Sequence, residues 1–358
     1  MRRSLTKLHR WLSLAALLFW TVQALTGVLI VFHWEIDDAL IAAPHRATDL
    51  QAIDRRLALL APAGSGRSIA SVWTSAGAPD RWDVTVSDTH AGTSDAVRID
   101  GAGDVLRVRH DGERFADGGW IDTLVLLHQT LLGGDTGSWI VGLSGCLLLT
   151  NLIMGLVTAW PRTGFWKRSL TRPRAGPPVA RLYGWHRALG LWVVIPALLL
   201  VSAGVARVFA DGFERMIGAP VPTAAAIKPA PQGIAFSRAV SIAVARHPGA
   251  TPAGIDFPTA EDATWHIRLL AKGEPRRAFG MTTVWVDGND GHVVADVDAV
   301  RAPFARRFAD LVYPLHTGEL GGLAGRIAVM AIGLWLLSMI GIGASLWFTR
   351  SRLRKGRL

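Results

Sequence analysis

Four histidines stand in two matched pairs at the ends of apolar segments. His128 and His316 each begin a cassette in which two adjacent glycines and then a third glycine follow at identical spacing, HQTLLGGDTG and HTGELGGLAG. His9 and His186 are each followed by an arginine and an apolar segment. Because neutral imidazole is the commonest metal ligand in proteins, these four side chains are the first candidates for chemistry.

The two pairs belong to an internal repeat of the whole chain. Its first part recurs after 177 residues and its second part after 188 residues. A fixed offset shared by several positions is the signature of a tandem duplication. The residues that recur are His9, Arg10 and Gly27 (as His186, Arg187 and Gly204), and His128, Gly133, Gly134, Gly137 and Gly155 (as His316, Gly321, Gly322, Gly325 and Gly343).

Four apolar stretches are long enough to cross a bilayer, which takes about 20 residues. They lie at 11–33, 138–160, 186–209 and 326–348. Tryptophans stand near several of their ends, as interfacial anchors do. The first stretch is predicted to be an uncleaved anchor, because its apolar core is long and no small-residue cleavage site follows it at once.

The charged residues predict the orientation of these spans. Segments 1–10, 161–185 and 349–358 carry basic residues and no acids, whereas every Asp and Glu lies within 35–135 or 211–319. By the positive-inside pattern, both termini and the basic loop are cytoplasmic, and the acid-containing segments lie in the periplasm of an inner-membrane protein. The net charge of +10 therefore indicates topology rather than nucleic-acid binding.

The two acid-containing segments, 34–120 and 210–315, are predicted to be external α+β domains. The cassettes at 121–137 and 316–325 connect them to the second and fourth spans. We thus expect a membrane α-helical fold with four transmembrane helices and two external domains, built by tandem duplication. Alternating residues predict strands at Ile69–Ser75, Trp82–Ser87, Val97–Val108, Trp265–Ala271 and Thr283–Val294, and helical spacing covers Phe236–Arg246.

Two histidines from different helices at one level, repeated at the opposite level, are typical of bis-histidine b-type haem. The pairs His9/His186 and His128/His316 therefore predict two haem irons per chain and a path for electrons across the membrane. Zinc fits less well, because no Cys or acidic ligand accompanies the histidines. The competing interpretations are contact with lipid head groups for the first pair and helix capping for the second.

Two further features leave alternatives open. Gly27, Gly204, Gly155 and Gly343 lie near the expected histidine levels, where small residues make room for a porphyrin edge or allow close helix packing. His33 stands at the outer end of the first span, and its position in the second repeat holds Ala210. His33 is therefore an alternative ligand of the outer haem.

The sequence contains no dinucleotide fingerprint and no arrangement that identifies catalytic residues. Electrons would then come from a membrane quinol or from a separate reductase. The spans contain no acidic residues, which argues against an ion-coupled transporter.

Motifs along the whole chain resemble those of the PepSY-associated transmembrane family, also described as iron-regulated membrane proteins. They are LHRWLSL…LTGVLIVF at 8–32, LHQTLLGGDTGSWIVGLSG at 127–145, WHRALGLW at 185–192, VWVDGNDGHVV at 284–294 and YPLHTGELGGLAGR at 313–326. The resemblance implies PepSY-type external domains and a dihaem reductase that releases iron from ferric siderophores on the periplasmic side. Its rival implication is a non-redox protein that binds or regulates a periplasmic partner or peptidase.

Overall fold

The computed structural model describes residues 2–75, 78–171, 176–230 and 232–355. The chain forms two compact units. The first, the membrane unit, comprises Met1–Val31, Leu124–Ala210 and Val312–Leu358, and the second, the sheet unit, comprises Phe32–Thr123 and Asp211–Leu311. Three of the basic residues used to predict orientation, Arg172, Arg174 and Arg357, lie outside the described residues.

The elements follow one another in the order of two similar halves. The helices are α1 (Arg2–Ala15), α2 (Leu17–Leu29), α3 (His33–Ala39), α4 (Leu50–Leu60), α5 (Gly119–Thr130), α6 (Gly134–Ala159), α7 (Trp166–Leu170), α8 (Pro178–Val208), α9 (Ala210–Met216), α10 (Phe236–Arg246), α11 (Phe304–Asp310), α12 (Val312–Thr317) and α13 (Gly322–Lys355). The strands are β1 (Arg67–Ser75), β2 (Ala78–Asp88), β3 (Thr93–Asp100), β4 (Val105–Arg109), β5 (Thr251–Asp256), β6 (Thr264–Leu270), β7 (Thr282–Asp287) and β8 (Val293–Val297).

Four helical segments of the described chain are long and apolar enough to cross a membrane, as predicted. They are Leu17–Ala39, Gly134–Ala159, Pro178–Val208 and Glu319–Arg352. Within the membrane unit, α6 packs against α1 and α8, and α13 packs against α8 and α2. The third helix begins eight residues before the predicted span, at Pro178, because proline suits the first turn of a helix, where no intrahelical partner for its nitrogen is needed.

The sheet unit holds one antiparallel sheet in the order β4-β3-β2-β1-β5-β6-β7-β8. Each half of the chain contributes a four-stranded meander, and the halves join where β1 pairs with β5 through Ser71–Asp256, Val72–Ile255 and Trp73–Gly254. Helices α4 and α10 contribute to a single hydrophobic core shared by both halves. The segments predicted as two domains therefore form one continuous sheet, because the edge strand of each meander satisfies the unpaired main chain of the other.

Most predicted elements of the sheet unit are present. Helix α10 has the predicted bounds, and the segment Thr283–Val294, predicted as strand, forms β7, a turn and the start of β8. Helix α4 and strand β5 were not predicted from the sequence. Asp49 is the N-cap of α4 and accepts hydrogen bonds from the main-chain N–H groups of Gln51 and Ala52. Aspartate is a preferred N-cap residue, so Asp49 is the signal in the sequence that indicates the start of this helix. Strand β5 contains proline and glycine, so its sequence is a poor strand predictor.

A buried ion cluster anchors α3 to the sheet in the first half. Asp37 accepts hydrogen bonds from Arg98 (2.5 Å), Arg107 (2.8 and 2.9 Å) and Arg109 (2.9 Å). All four side chains are nearly buried. Arg98 also pairs with Asp83 through two bonds of 2.7 and 2.8 Å. Burial would lower the pKa of Arg98, but the neighbouring carboxylates raise it above its ordinary value.

The second half has a corresponding cluster with a different arginine. Glu214 occupies the position of Asp37 after an offset of 177. Asp310 occupies the position of Asp122, which pairs with Arg109 in the first cluster, after an offset of 188. Arg306 bonds both carboxylates, at 2.9 and 2.8 Å, and also bonds the carbonyl oxygen of Ala219. The offsets that relate the histidines thus also relate the acidic residues that hold the short helices in place.

Candidate functional site

The structure brings His9 and His186 together. His9 lies in α1 and His186 near the start of α8, and their ring centroids are 6.3 Å apart with the planes inclined by 60°. Both side chains are partly buried within the membrane unit. The first predicted pair is therefore a pair in space, contributed by the two halves of the chain.

The structure also brings His128 and His316 together. His128 lies in the last turn of α5 and His316 in α12, and their ring centroids are 6.4 Å apart with nearly parallel planes, inclined by 27°. His128 turns toward the long helices, because its Nδ1 lies 3.1 Å from the carbonyl oxygen of Gln23 in α2.

Hydrogen bonds to main-chain carbonyl groups favour one proton position in three of the four rings. A carbonyl oxygen can only accept, so a ring Nδ1 bonded to it carries the hydrogen and Nε2 keeps the lone pair that a metal ion requires. The bonds join His9 to Asn151 (3.0 Å), His128 to Gln23 (3.1 Å) and His316 to Leu200 (3.0 Å). The Nδ1 of His128 also lies 3.1 Å from the hydroxyl of Thr26, which itself donates to the carbonyl oxygen of Val22. Gln23 and Leu200 are themselves related by the offset of 177.

The surroundings of the His9/His186 pair differ between the halves. Near His9, the Asn151 side chain donates to Ser13 at 2.9 Å. The corresponding positions near His186 hold Gly190 and Met339. The Nδ1 of His186 is buried and has no hydrogen-bond partner among the described residues. An asparagine inside an apolar helix is a signal from which Asn151 could have been singled out in the sequence.

Each histidine ring lies against a repeat-related glycine. A Cβ built at Gly204 would lie 2.7 Å from Cε1 of His316, and one at Gly27 would lie 3.0 Å from Cε1 of His128. At Gly155 and Gly343 the corresponding distances to the rings of His9 and His186 are 3.3 and 3.7 Å. Gly204, Gly27 and Gly155 therefore make room for the imidazoles themselves, an explanation that neither sequence interpretation had offered, whereas a Cβ at Gly343 would make only an ordinary contact.

The cassette glycines turn the chain between the histidine and the next long helix. Gly134 and Gly322 have φ angles of 54° and 56°, a left-handed conformation that glycine adopts without strain, and α6 and α13 begin at these residues. A side chain at Gly137 would collide with the carbonyl of Thr130, and one at Gly325 with the carbonyl of Gly318. The third glycine of each cassette thus allows the new helix to start close to the preceding turn.

The two pairs lie at two different levels along α8. His186 is near its first turns, and Leu200, whose carbonyl bonds His316, lies 14 residues further on. At 1.5 Å per residue this separation is roughly 21 Å along the helix axis. The hydrocarbon core of a bilayer is about 30 Å thick, so the two pairs occupy two levels of one membrane-spanning bundle.

The donor set and spacing fit a metal held between two imidazoles. If two imidazole nitrogens bind one metal ion from opposite sides, each metal–nitrogen bond is roughly 2 Å long and each nitrogen lies roughly 1 Å from its ring centre. The two ring centroids are then about 6 Å apart. The observed distances are 6.3 and 6.4 Å. Among the described residues, the two histidines of each pair are the side chains that would hold a haem iron, which would supply one-electron redox chemistry there.

The remaining histidines have other environments. His33 begins α3 in the sheet unit, with its ring 4.7 Å from that of Trp34. Others lie beside carboxylates, such as His247 at 2.6 Å from Asp296. The only group of three metal-ligating side chains found among the described residues, Asp287, Asp290 and His292, is a largely exposed turn cluster.

The fold and site together define a class: a membrane protein whose described residues include four long apolar helices, a sheet-rich unit and two histidine pairs, with one histidine of each pair from the first half of the chain and one from the second. The sequence model of the PepSY-associated TM region matches residues 6–350, essentially the whole chain, and the chain belongs to that family. No curated protein matches it.

Proposed function

We propose that this chain is an inner-membrane electron-transfer protein that reduces ferric siderophores, Fe(III) to Fe(II), on the periplasmic side. In this proposal His9 and His186 hold one b-type haem and His128 and His316 hold a second. The observation that carries it is the repeated pairing of imidazoles at 6.3 and 6.4 Å in an apolar bundle. When bound, haem supplies one-electron redox chemistry.

The chain's own groups prepare these sites. Carbonyl oxygens in α2, α6 and α8 each accept a proton-bearing Nδ1 and hold the ring with its lone pair on Nε2. Such outer bonds orient a ligand and increase its basicity. The helices of the membrane unit partly bury the four rings, and the repeat-related glycines let each ring approach a neighbouring helix closely.

The ferric siderophore is proposed as acceptor because the chain's motifs resemble a family described as iron-regulated, some of whose members look like ferric-siderophore reductases, and because siderophores bind Fe(II) much more weakly than Fe(III). The donor is a membrane quinol or a separate reductase. In this proposal the Fe(III) chelate would bind at the sheet unit. Orientation follows from the acid-free basic segments 1–10 and 161–185, which favour the cytoplasmic side.

The test is the haem content of the purified chain expressed with adequate haem. We expect two haems per chain and a b-type band in the reduced-minus-oxidised spectrum. His9→Ala and His128→Ala should each remove about half of this absorbance, whereas the matched control His110→Ala, an exposed histidine of the sheet unit, should remove none.

Absence of a b-type band would refute the redox proposal and would favour the alternative, a non-redox membrane protein that binds a periplasmic partner or peptidase. With haem confirmed, dithionite-reduced protein in vesicles should convert an added ferric chelate to Fe(II), measured with a ferrous-specific dye. Reoxidation of the haem without Fe(II) formation would contradict the assignment of the acceptor.

A further inference from the structure

The sheet unit contains a cavity of about 360 Å³ in its second half. The side chains of β6 and β7 alternate: Ile267 and Val284 enter the core, whereas His266, Arg268 and Trp285 line the cavity on the opposite face. Val221–Ala224, from the connector after α9, forms another wall. The volume is at the small end of the range for ligand sites, which is about 300–1,000 Å³.

The cavity exists because the two halves have diverged at matched sheet positions. In the first half, Asp83 pairs across the strands with Arg98, and at the matching place in the second half His266 pairs with Trp285. The other two arginines that reach Asp37, at positions 107 and 109, are matched in β8 by Ala295 and Val297. The space that ionic side chains fill in one half is therefore lined by smaller or aromatic residues in the other.

Most charged groups of the cavity are already satisfied by the protein. Arg306 is bonded to Glu214 and Asp310. Burial would raise the pKa of Asp262, but hydrogen bonds from Thr264 and from the main chain of Ile227 hold it below its ordinary value. These groups therefore shape the cavity without providing a free charge.

Arg268 is different. Its guanidinium carbon lies 5.4 Å from the centre of the Trp73 ring, and no carboxylate of the described residues lies within ion-pair distance of it. Trp285 offers a flat wall whose ring stacks on His266 at 5.1 Å, with planes inclined by 19°. The other walls include Met281, Val297 and Ala299. A partly buried guanidinium without a counter-charge attracts an anion, and the aromatic and aliphatic walls favour an apolar body.

We propose that this cavity binds a compact aromatic carboxylate, with the carboxylate on Arg268 and the ring against Trp285. Arginine presents parallel N–H groups that match a carboxylate in two hydrogen bonds. The proposal is independent of haem, since every group it uses belongs to the sheet unit.

The experiment is isothermal titration calorimetry of the full chain in detergent with benzoate, with benzamide as its neutral isostere, and with inorganic phosphate. We expect benzoate to bind, and benzamide and phosphate to bind at least about tenfold more weakly, because one lacks the charge and the other the ring. Equal binding of benzamide or phosphate, or no binding of benzoate, would overturn the proposal.

Variants locate the site. Arg268→Gln should weaken benzoate binding at least about tenfold, whereas Arg301→Gln, which changes an 89% exposed arginine outside the cavity, should leave it unchanged. Melting curves check that each variant is folded, and the benzoate–benzamide comparison on the parent protein needs no variant. Benzoate affinity unaffected by Arg268→Gln in folded protein would place the ligand elsewhere and refute the assignment.

Discussion

The contact between each histidine and its glycine provides a graded test of the site. Alanine at Gly204 puts a methyl 2.7 Å from the ring of His316, whereas alanine at Gly343 puts it 3.7 Å from the ring of His186. An ordinary contact of carbon atoms is no shorter than about 3.4 Å, so the first change requires a shift of about 0.7 Å and the second requires none. Gly27 and Gly155, at 3.0 and 3.3 Å, are intermediate.

The magnitude follows from two opposing terms. Replacing glycine by alanine inside a helix stabilises it by about 0.8–1.0 kcal/mol. Overpacking a well-packed site costs about 1–3 kcal/mol. We therefore expect Gly343→Ala to stabilise the protein slightly. The Gly204→Ala variant should be less stable than the Gly343→Ala variant by about 1–3 kcal/mol, and Gly27→Ala and Gly155→Ala should lie between them.

Two measurements check this order. Melting followed by far-UV circular dichroism should separate Gly204→Ala from Gly343→Ala by about 1–4 °C, since 1 kcal/mol corresponds to about 1.3 °C for a chain of 358 residues. If haem is bound, Gly204→Ala should lose absorbance from the His128/His316 site and Gly343→Ala should retain both haems. Equal stability and equal haem content in these two variants would refute the close approach of glycine and ring.

Three further predictions concern the sheet unit and His33. Arg306→Leu should destabilise the protein by about 3–5 kcal/mol because it leaves two nearly buried carboxylates unpaired. Arg307→Leu, which changes the exposed neighbouring arginine, is the control. A melting temperature of Arg306→Leu that is no lower than that of Arg307→Leu would contradict this prediction. Burial would raise the pKa of Asp296, but hydrogen bonds from His247 and Arg246 hold this pKa below its ordinary value of 3.8. The ionised Asp296 therefore stabilises the folded protein above pH 3.8, and this stabilisation is lost as the pH falls through the folded-state pKa. Asp296→Asn should therefore reduce the fall in denaturation midpoint between about pH 6 and about pH 3, and an unchanged fall would show that the ion pair is not formed. His33→Ala should retain both haem bands, and loss of one band would make His33 an iron ligand in place of His128 or His316.

Much of the architecture could be predicted from the sequence because its signals are local. Hydropathy and length identify the four apolar helices, and alternation identifies β2, β6 and β7. The fixed offsets single out the histidines as pairs before any contact is known. Strand β5 could not be predicted, since its Pro252 and Gly254 disfavour a strand and it becomes one by pairing with β1.

The candidate site was predicted in part. Residue types and repeat spacing predicted which four histidines belong together, and the structure places them at 6.3 and 6.4 Å. Their Nδ1 partners in the main chain could not be predicted, because any residue has a carbonyl group and only helix packing decides which one a ring meets. The contact of Gly204 with the ring of His316 could not be predicted either. A glycine in an apolar helix has the same sequence signal whether it faces a ring, a helix or lipid.

The sequence by itself thus determined the four apolar helices and the identity of the paired histidines, which depend on hydropathy and spacing along the chain. Only the tertiary structure decided that the two segments predicted as separate domains share one sheet, that each imidazole lies against a glycine, and that a cavity opens around Arg268. These features depend on contacts between residues more than a hundred positions apart, or on what neighbouring strands and helices leave unfilled. Such contacts are decided by packing, for which the local pattern of residues carries little information.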